Sequence, residues 1–187
     1  MKKLKTILFS FVVLLSISYS NPVVKENPGL SFYVFGDWGR NGYCNQKEVA
    51  KSMGVFADSL DIDFIVSCGD NFQINGVRST SDPLWNTSFE SIYDHSSLLI
   101  DWYAVLGNHD YGGNPDAEIE YTKVSRRWNM PARYYVIHKE IENCPMGLDL
   151  IFIDTPPFQH KYYSDISYKD GVKGQDTTLQ RNWLDSV

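Results

Sequence analysis

Apolar positions cluster into three runs in the first half of the chain, and each run ends in a polar group. Ser31-Phe32-Tyr33-Val34-Phe35 leads into Gly36-Asp37-Trp38-Gly39. Ile62-Asp63-Phe64-Ile65-Val66-Ser67-Cys68 leads into Gly69-Asp70-Asn71-Phe72. Trp102-Tyr103-Ala104-Val105-Leu106 leads into Gly107-Asn108-His109-Asp110. Nearly continuous apolar runs suit strands buried on both faces of a parallel sheet. They predict strands at about 31–36, 62–68 and 101–106. Val49, Met53, Phe56 and Leu60 recur at helical spacing, with Lys47, Glu48, Lys51 and Asp58 elsewhere, which predicts a helix over 46–60. A loop rich in Asn, Gly, Ser and Asp follows Asn71, and a short helix is expected around 84–93. The order β-α-β-α-β predicts an α/β domain with a parallel sheet and covering helices. Further on, 118–128 reads as helix and 133–138 and 148–154 as two more strands. Pro156 and Pro157 stop the last of these, and 177–187 starts another helix with Leu179, Trp183 and Leu184 on one face.

The polar clusters carry the candidate chemistry. In a parallel sheet the carboxyl ends of the strands line up, and the loops there share one crevice. Asp37, Asp70, Asn108 and His109 are therefore expected to meet. Each alone has a plainer explanation: an aspartate or asparagine after a strand often caps a turn, and a histidine is often a satisfied surface group. Three such clusters, one βα unit apart, make coincidence a poor account. Carboxylate and amide oxygens suit hard cations, while imidazole suits Zn and Fe. Two cations about 3.5–4 Å apart can clamp a phosphoryl group and acidify a bound water.

Composition narrows the setting. The chain has 187 residues, 43% of them hydrophobic and 21% charged, which suits one globular domain. Lys2, Lys3 and Lys5, then an apolar stretch from Ile7 to Ile17, then Ser18-Tyr19-Ser20 read as a cleavable signal peptide over 1–20, with the domain at 21–187. The stretch is too short to span a bilayer, so no stable membrane anchor is expected. Loss of 1–20 takes three lysines and no acid, moving the net charge from −6 to −9. Such an acidic domain excludes nucleic acid as an expected partner. Three cysteines are an odd count. Cys68 reads as a small core residue, and the pairing of Cys44 and Cys144 stays open. Asn86-Thr87-Ser88 is an N-glycosylation sequon, expected at the surface.

The motifs Asp37-Trp38-Gly39, Gly69-Asp70-Asn71-Phe72-Gln73 and Gly107-Asn108-His109-Asp110 resemble those of the low-molecular-weight plant purple acid phosphatases. These are relatives of tartrate-resistant acid phosphatase among the calcineurin-like metallophosphoesterases, and the resemblance runs through 31–187. It implies an α/β metallophosphoesterase β-sandwich flanked by helices. This chain would carry the N-terminal βαβαβ half and further strands, with the C-terminal part missing. It implies an acid phosphatase acting on small phosphate monoesters at a binuclear metal centre. Asp37 would bind a ferric ion and Asp70 would bridge. Asn108 would bind a second divalent ion (Zn, Mn or Fe), and His109 would stand beside the phosphate as the catalytic group. A secreted protein of the cell wall or apoplast, or a vacuolar one, is implied, as monomer or homodimer.

Two departures are visible. Gln73 stands where the family has a tyrosine ligand, so the iron phenolate that colours the family is not expected. The later VxxH and GHxH motifs, which supply three histidine ligands, are not found, and His95, His138 and His160 stand in no such motif. The alternative is therefore an impaired or inactive relative acting as a non-catalytic binding protein, and little activity is expected of these 187 residues alone.

Overall fold

The computed structural model describes residues 29–73 and 75–187, so the expected signal peptide at 1–20 lies outside the described residues. Strands β1 (Phe32–Phe35), β2 (Phe64–Ser67), β3 (Trp102–Ala104) and β4 (Trp128–Asn129) form one parallel sheet in that order. A second, antiparallel sheet pairs β5 (Tyr135–Glu140) with β6 (Gly147–Phe152). It packs on the first through Tyr135, whose hydroxyl donates to the Ala104 carbonyl at 2.7 Å and whose ring stacks on Phe152.

The register explains the site. Phe35 is level with Ser67, and Ser67 with Ala104, so the three strands end side by side. The loops that follow must then emerge together. Beneath them lies an aromatic core in which Trp38, Phe89, Trp102 and Trp128 meet largely edge to face. Arg127 is buried with them; its guanidinium donates to the carbonyls of Tyr93, Phe89 and Leu98 and pairs with Glu90 at 3.0 Å.

Helix α1 (Gln46–Leu60) has the expected bounds but presents an unexpected face. Its buried residues are Gln46, Ala50, Gly54 and Ala57, whereas Val49, Phe56 and Leu60 are about half exposed. The small side chains let the helix axis come close to its neighbours. A Cβ on Gly54 would stand 2.4 Å from the ring of His95. Gly54→Ala should therefore destabilise the fold by about 1–3 kcal/mol, since overpacking outweighs the better helix propensity of alanine. Thermal unfolding of the variant checks this, and an unchanged or raised midpoint would contradict it.

Other elements depart from the pattern reading. The helix expected over 118–128 is α2 (Pro115–Tyr121), started by Pro115 after Asn114, whose side chain accepts from the Asp116 N–H. Trp128 belongs instead to β4, fully buried against β3. The helix near 84–93 is a short π-helix (Trp85–Glu90), with the Ser91 N–H bonded to the Asn86 carbonyl at 3.0 Å. A short helix α3 (Lys169–Lys173) was not foreseen, and α4 (Thr177–Leu184) was. Cys68 is not a core residue: it is exposed at the end of β2, and Cys44, Cys68 and Cys144 are all free thiols. Among the described residues no helix is long and apolar enough to cross a membrane.

Candidate metal centre

Asp37, Asp70 and Asn108 line one cleft of about 430 Å³ at the carboxyl ends of β1, β2 and β3. The loops interlock through their backbones. The Asp37 N–H donates to the Gly69 carbonyl at 3.2 Å, and the His109 N–H donates to Asp70 Oδ1 at 2.9 Å. Asp37 and Asp70 both adopt the left-handed backbone region, at φ 60° and 49°. Non-glycine residues seldom sit there, and such strain concentrates at functional sites. Gly69 and Gly107 permit the close approach: a Cβ on Gly107 would lie 2.2 Å from Asp70 Oδ1, and one on Gly69 would lie 2.6 Å from the Gly107 nitrogen.

Asp110, fully buried, ties the second and third loops together. Its carboxylate accepts from the N–H groups of Gly107 (2.8 Å), Asn71 (3.2 Å) and Phe72 (3.1 Å). Asn71 extends the network: its amide donates to the Val105 carbonyl and to Glu118, and its oxygen accepts from the Ser67 hydroxyl. Burial raises Asp110 to about 6, against the lowering effect of its three N–H donors. Glu118 is pushed well above the usual carboxyl range by burial and by the nearby Asp110. Two touching buried carboxyls cannot both ionise cheaply. Asp110 has three backbone N–H donors on its carboxylate, whereas Glu118 Oε1 has no hydrogen-bond partner, so the negative charge is better held on Asp110.

The expected ligands already have protein partners. Gln73 Nε2 donates to Asp37 Oδ1 at 2.9 Å, which puts the amide beside Asp37, and the Tyr162 hydroxyl donates to Asn108 Oδ1 at 2.9 Å. His109 is not among the cleft residues; its Nδ1 lies 3.4 Å from the Tyr168 hydroxyl. Lys161 and Tyr162, which the sequence reading had passed over, close one side of the cleft. The remaining histidines stand apart: His138 pairs with Asp149 at 2.7 Å on the surface, His160 is exposed, and His95 packs on Gly54. Asn86 is exposed, as its sequon requires.

The donors suit a hard cation: two carboxylates and an amide oxygen open to one cleft. They fit the oxygen-ligand part of a binuclear centre. Among the described residues no group of three His, Cys, Asp or Glu is placed to hold a metal, so these donors do not by themselves enclose two ions.

Behind the cleft rim, Asp154 is 1% exposed and accepts from the Tyr111 hydroxyl, which also receives a bond from Arg133. Burial raises its carboxyl from 3.8 to about 6. A raised carboxyl favours folding below its unfolded value, and that benefit is lost as pH rises through the folded value. The gap between 3.8 and about 6 is worth about 3 kcal/mol. The stability of the native chain relative to Asp154→Asn should thus fall by about that amount between pH 4 and pH 7. Parallel stability curves for the two proteins would refute this.

A parallel sheet whose strand ends gather carboxylate and amide oxygens is a scaffold suited to holding a hard cation. The chain belongs to the calcineurin-like phosphoesterases, whose family model matches residues 30–186. It is similar to purple acid phosphatase 7 of Arabidopsis thaliana, at 44% identity over 78% of this chain and 43% of that protein. Human tartrate-resistant acid phosphatase type 5 is 36% identical over 68% of this chain and 41% of that protein. Among solved structures, GAP50, described as the anchor in the inner membrane complex of Plasmodium, matches with a TM-score of 0.63. That match has 29% identity and covers 79% of this chain and 48% of the other. The chain spans less than half the length of the curated relatives it matches.

Proposed function

We propose that the chain carries the oxygen-ligand part of an acid phosphatase that hydrolyses small phosphate monoesters at a binuclear metal centre. The observation that supports this best is the meeting of Asp37, Asp70 and Asn108 in one cleft on strand ends of matched register. Asp37 would hold a ferric ion, Asp70 would bridge, and Asn108 would take a second divalent ion, Zn, Mn or Fe. Such a pair, when bound, supplies an acidified water and a polarised phosphoryl oxygen. The chain's own groups do the rest. The His109 N–H fixes one oxygen of Asp70 and leaves the other for coordination. Lys161, at the cleft wall, offsets the charge of an entering phosphate. His109, whose Nδ1 stands 3.4 Å from the Tyr168 hydroxyl, would place or protonate the ester oxygen.

The setting belongs to the same proposal. Residues 1–20 would be removed on secretion, leaving the domain at 21–187, and exposed Asn86 would carry a glycan. The product would reside in the cell wall, apoplast or vacuole, as monomer or homodimer, with no nucleic-acid partner. A purely non-catalytic binding role is not favoured, since the curated relatives above are named as phosphatases.

The test is hydrolysis of 4-nitrophenyl phosphate by the chain supplied with Fe, Zn or Mn, beside Asp70→Asn. Three donors hold ions weakly, so turnover should be slow and rise with metal concentration. Asp70→Asn should lower it by at least about a hundredfold. Metal-dependent turnover that Asp70→Asn leaves untouched would overturn the assignment.

A further inference from the structure

Asp154 holds a place that the proposed hydrolysis does not use. It follows β6, and the residues after it build one wall of the cleft. Thr155 and Pro156 line that wall, and helical turns at Pro156–Phe158 and His160–Tyr163 bring Lys161 and Tyr162 to it. Three other segments meet on Asp154. The Tyr111 hydroxyl, from the turn Asp110–Gly112, donates to its Oδ2. Arg133, from the segment before β5, donates to that same hydroxyl at 3.1 Å. Gln180 of α4, also buried, donates to the Asp154 backbone carbonyl at 3.2 Å. One buried residue thus ties the root of the wall to the loop that carries Asn108 and to α4.

The surroundings suit a neutral carboxyl better than an anion. Oδ1 is buried with no hydrogen-bond partner. The cation that bears on it, Arg133, reaches it through the Tyr111 hydroxyl, is paired with Asp116 at 2.6 Å and also faces Glu118. Gln180 is uncharged. Helix α3 sets Gly171 against the Tyr111 ring, with Asp170 and Lys173 exposed. Arg181 of α4 lies over the Phe158 ring at 5.4 Å. On the wall itself His160 and Lys161 are exposed. An anion with one bare oxygen is costly to keep buried, and a protonated carboxyl far less so. Burial accordingly raises Asp154 to about 6.

We propose that Asp154 is a pH-sensitive lock on the cleft wall: protonated, it holds the segment 155–163 against the site, and ionised, it lets that segment lift into water. Lifting takes Lys161 out of the cleft and the Tyr162 hydroxyl off Asn108 Oδ1. The carboxyl is raised in the closed form, so closure is favoured in acid and lost as pH rises through about 6. A carboxyl at 3.8 in water and about 6 when buried makes the opening constant rise about fiftyfold from pH 4 to pH 7. On the phosphatase reading, on which this consequence rests, an entering phosphate meets Lys161 in acid and not at neutral pH. The lock itself can be tested without turnover.

The test is amide hydrogen exchange of the full chain from pH 4 to pH 7, corrected for the intrinsic base-catalysed rate. It is run beside Asp154→Asn, whose amide has the shape of the protonated acid. The reporters are the N–H groups of Phe158 and Gln159, bonded within the wall to the Thr155 and Pro156 carbonyls at 3.0 Å. Single helical turns do not persist once lifted, so opening frees both. The reference is the Ile65 N–H in the central sheet, bonded to the Asp101 carbonyl at 2.9 Å. The wall amides should be at least about tenfold less protected than Ile65, because they open without the whole fold. Their protection should fall about fiftyfold from pH 4 to pH 7, a fall that Asp154→Asn lacks. Wall protection equal to that of Ile65 at every pH would overturn the lock, since the wall would then open only on global unfolding. A flat pH dependence in the native chain, or the same fall in Asp154→Asn, would overturn it too. Should the variant fail to fold, the native series still decides between a falling and a flat wall. None of these outcomes touches the phosphatase reading, which stands or falls on Asp70→Asn.

Discussion

Asp110→Ala is expected to cost about 3–5 kcal/mol of folding free energy and to separate the loops that make the cleft. The carboxylate accepts from three backbone N–H groups, of Gly107, Asn71 and Phe72, in a fully buried position. Truncation leaves all three donors without water or partner, and each unsatisfied buried group costs about 1–3 kcal/mol. Glu118→Gln is the informative control, because an amide of the same shape can still accept from Asn71 and should cost only about 1 kcal/mol. Urea unfolding of the three proteins decides the matter. A loss below about 1 kcal/mol for Asp110→Ala would mean that water reaches these donors.

Gln73→Tyr is expected to change the spectrum of the iron-loaded protein. As the chain stands, Gln73 gives Asp37 an N–H and has no anionic oxygen to offer a ferric ion. A visible phenolate-to-iron band should therefore be missing with Gln73 and present with tyrosine at that position. The bond to Asp37 Oδ1 at 2.9 Å shows that a side chain at 73 reaches the Asp37 carboxylate in the cleft. Absorption spectra of the two proteins with Fe(III) are the measurement. A coloured native protein would mean that another tyrosine, with Tyr162 the nearest candidate in the cleft, supplies the phenolate.

The parallel strand order, the bounds of α1 and the gathering of Asp37, Asp70 and Asn108 were legible because each rests on a local pattern. An apolar run followed by Gly and a polar residue marks the end of a buried strand wherever it occurs. The errors came where distant packing outweighs local pattern. The stripe Val49, Phe56 and Leu60 looks like a core face, but the buried side is the one bearing Ala50, Gly54 and Ala57, where Gly54 lies against His95 and the segment that follows it. Trp128 fits a helical period as well as a strand, and only the open edge of β3 makes it β4.

By itself, then, the sequence determined which residues end the strands, because strand burial and turn chemistry are written within a few neighbouring positions. The tertiary structure alone decided their partners: Gln73 on Asp37, Tyr162 on Asn108, and Asp110 joining two loops. Those contacts join residues far apart in the chain, and no spacing rule encodes a hydrogen bond between loops that meet only after the sheet has formed.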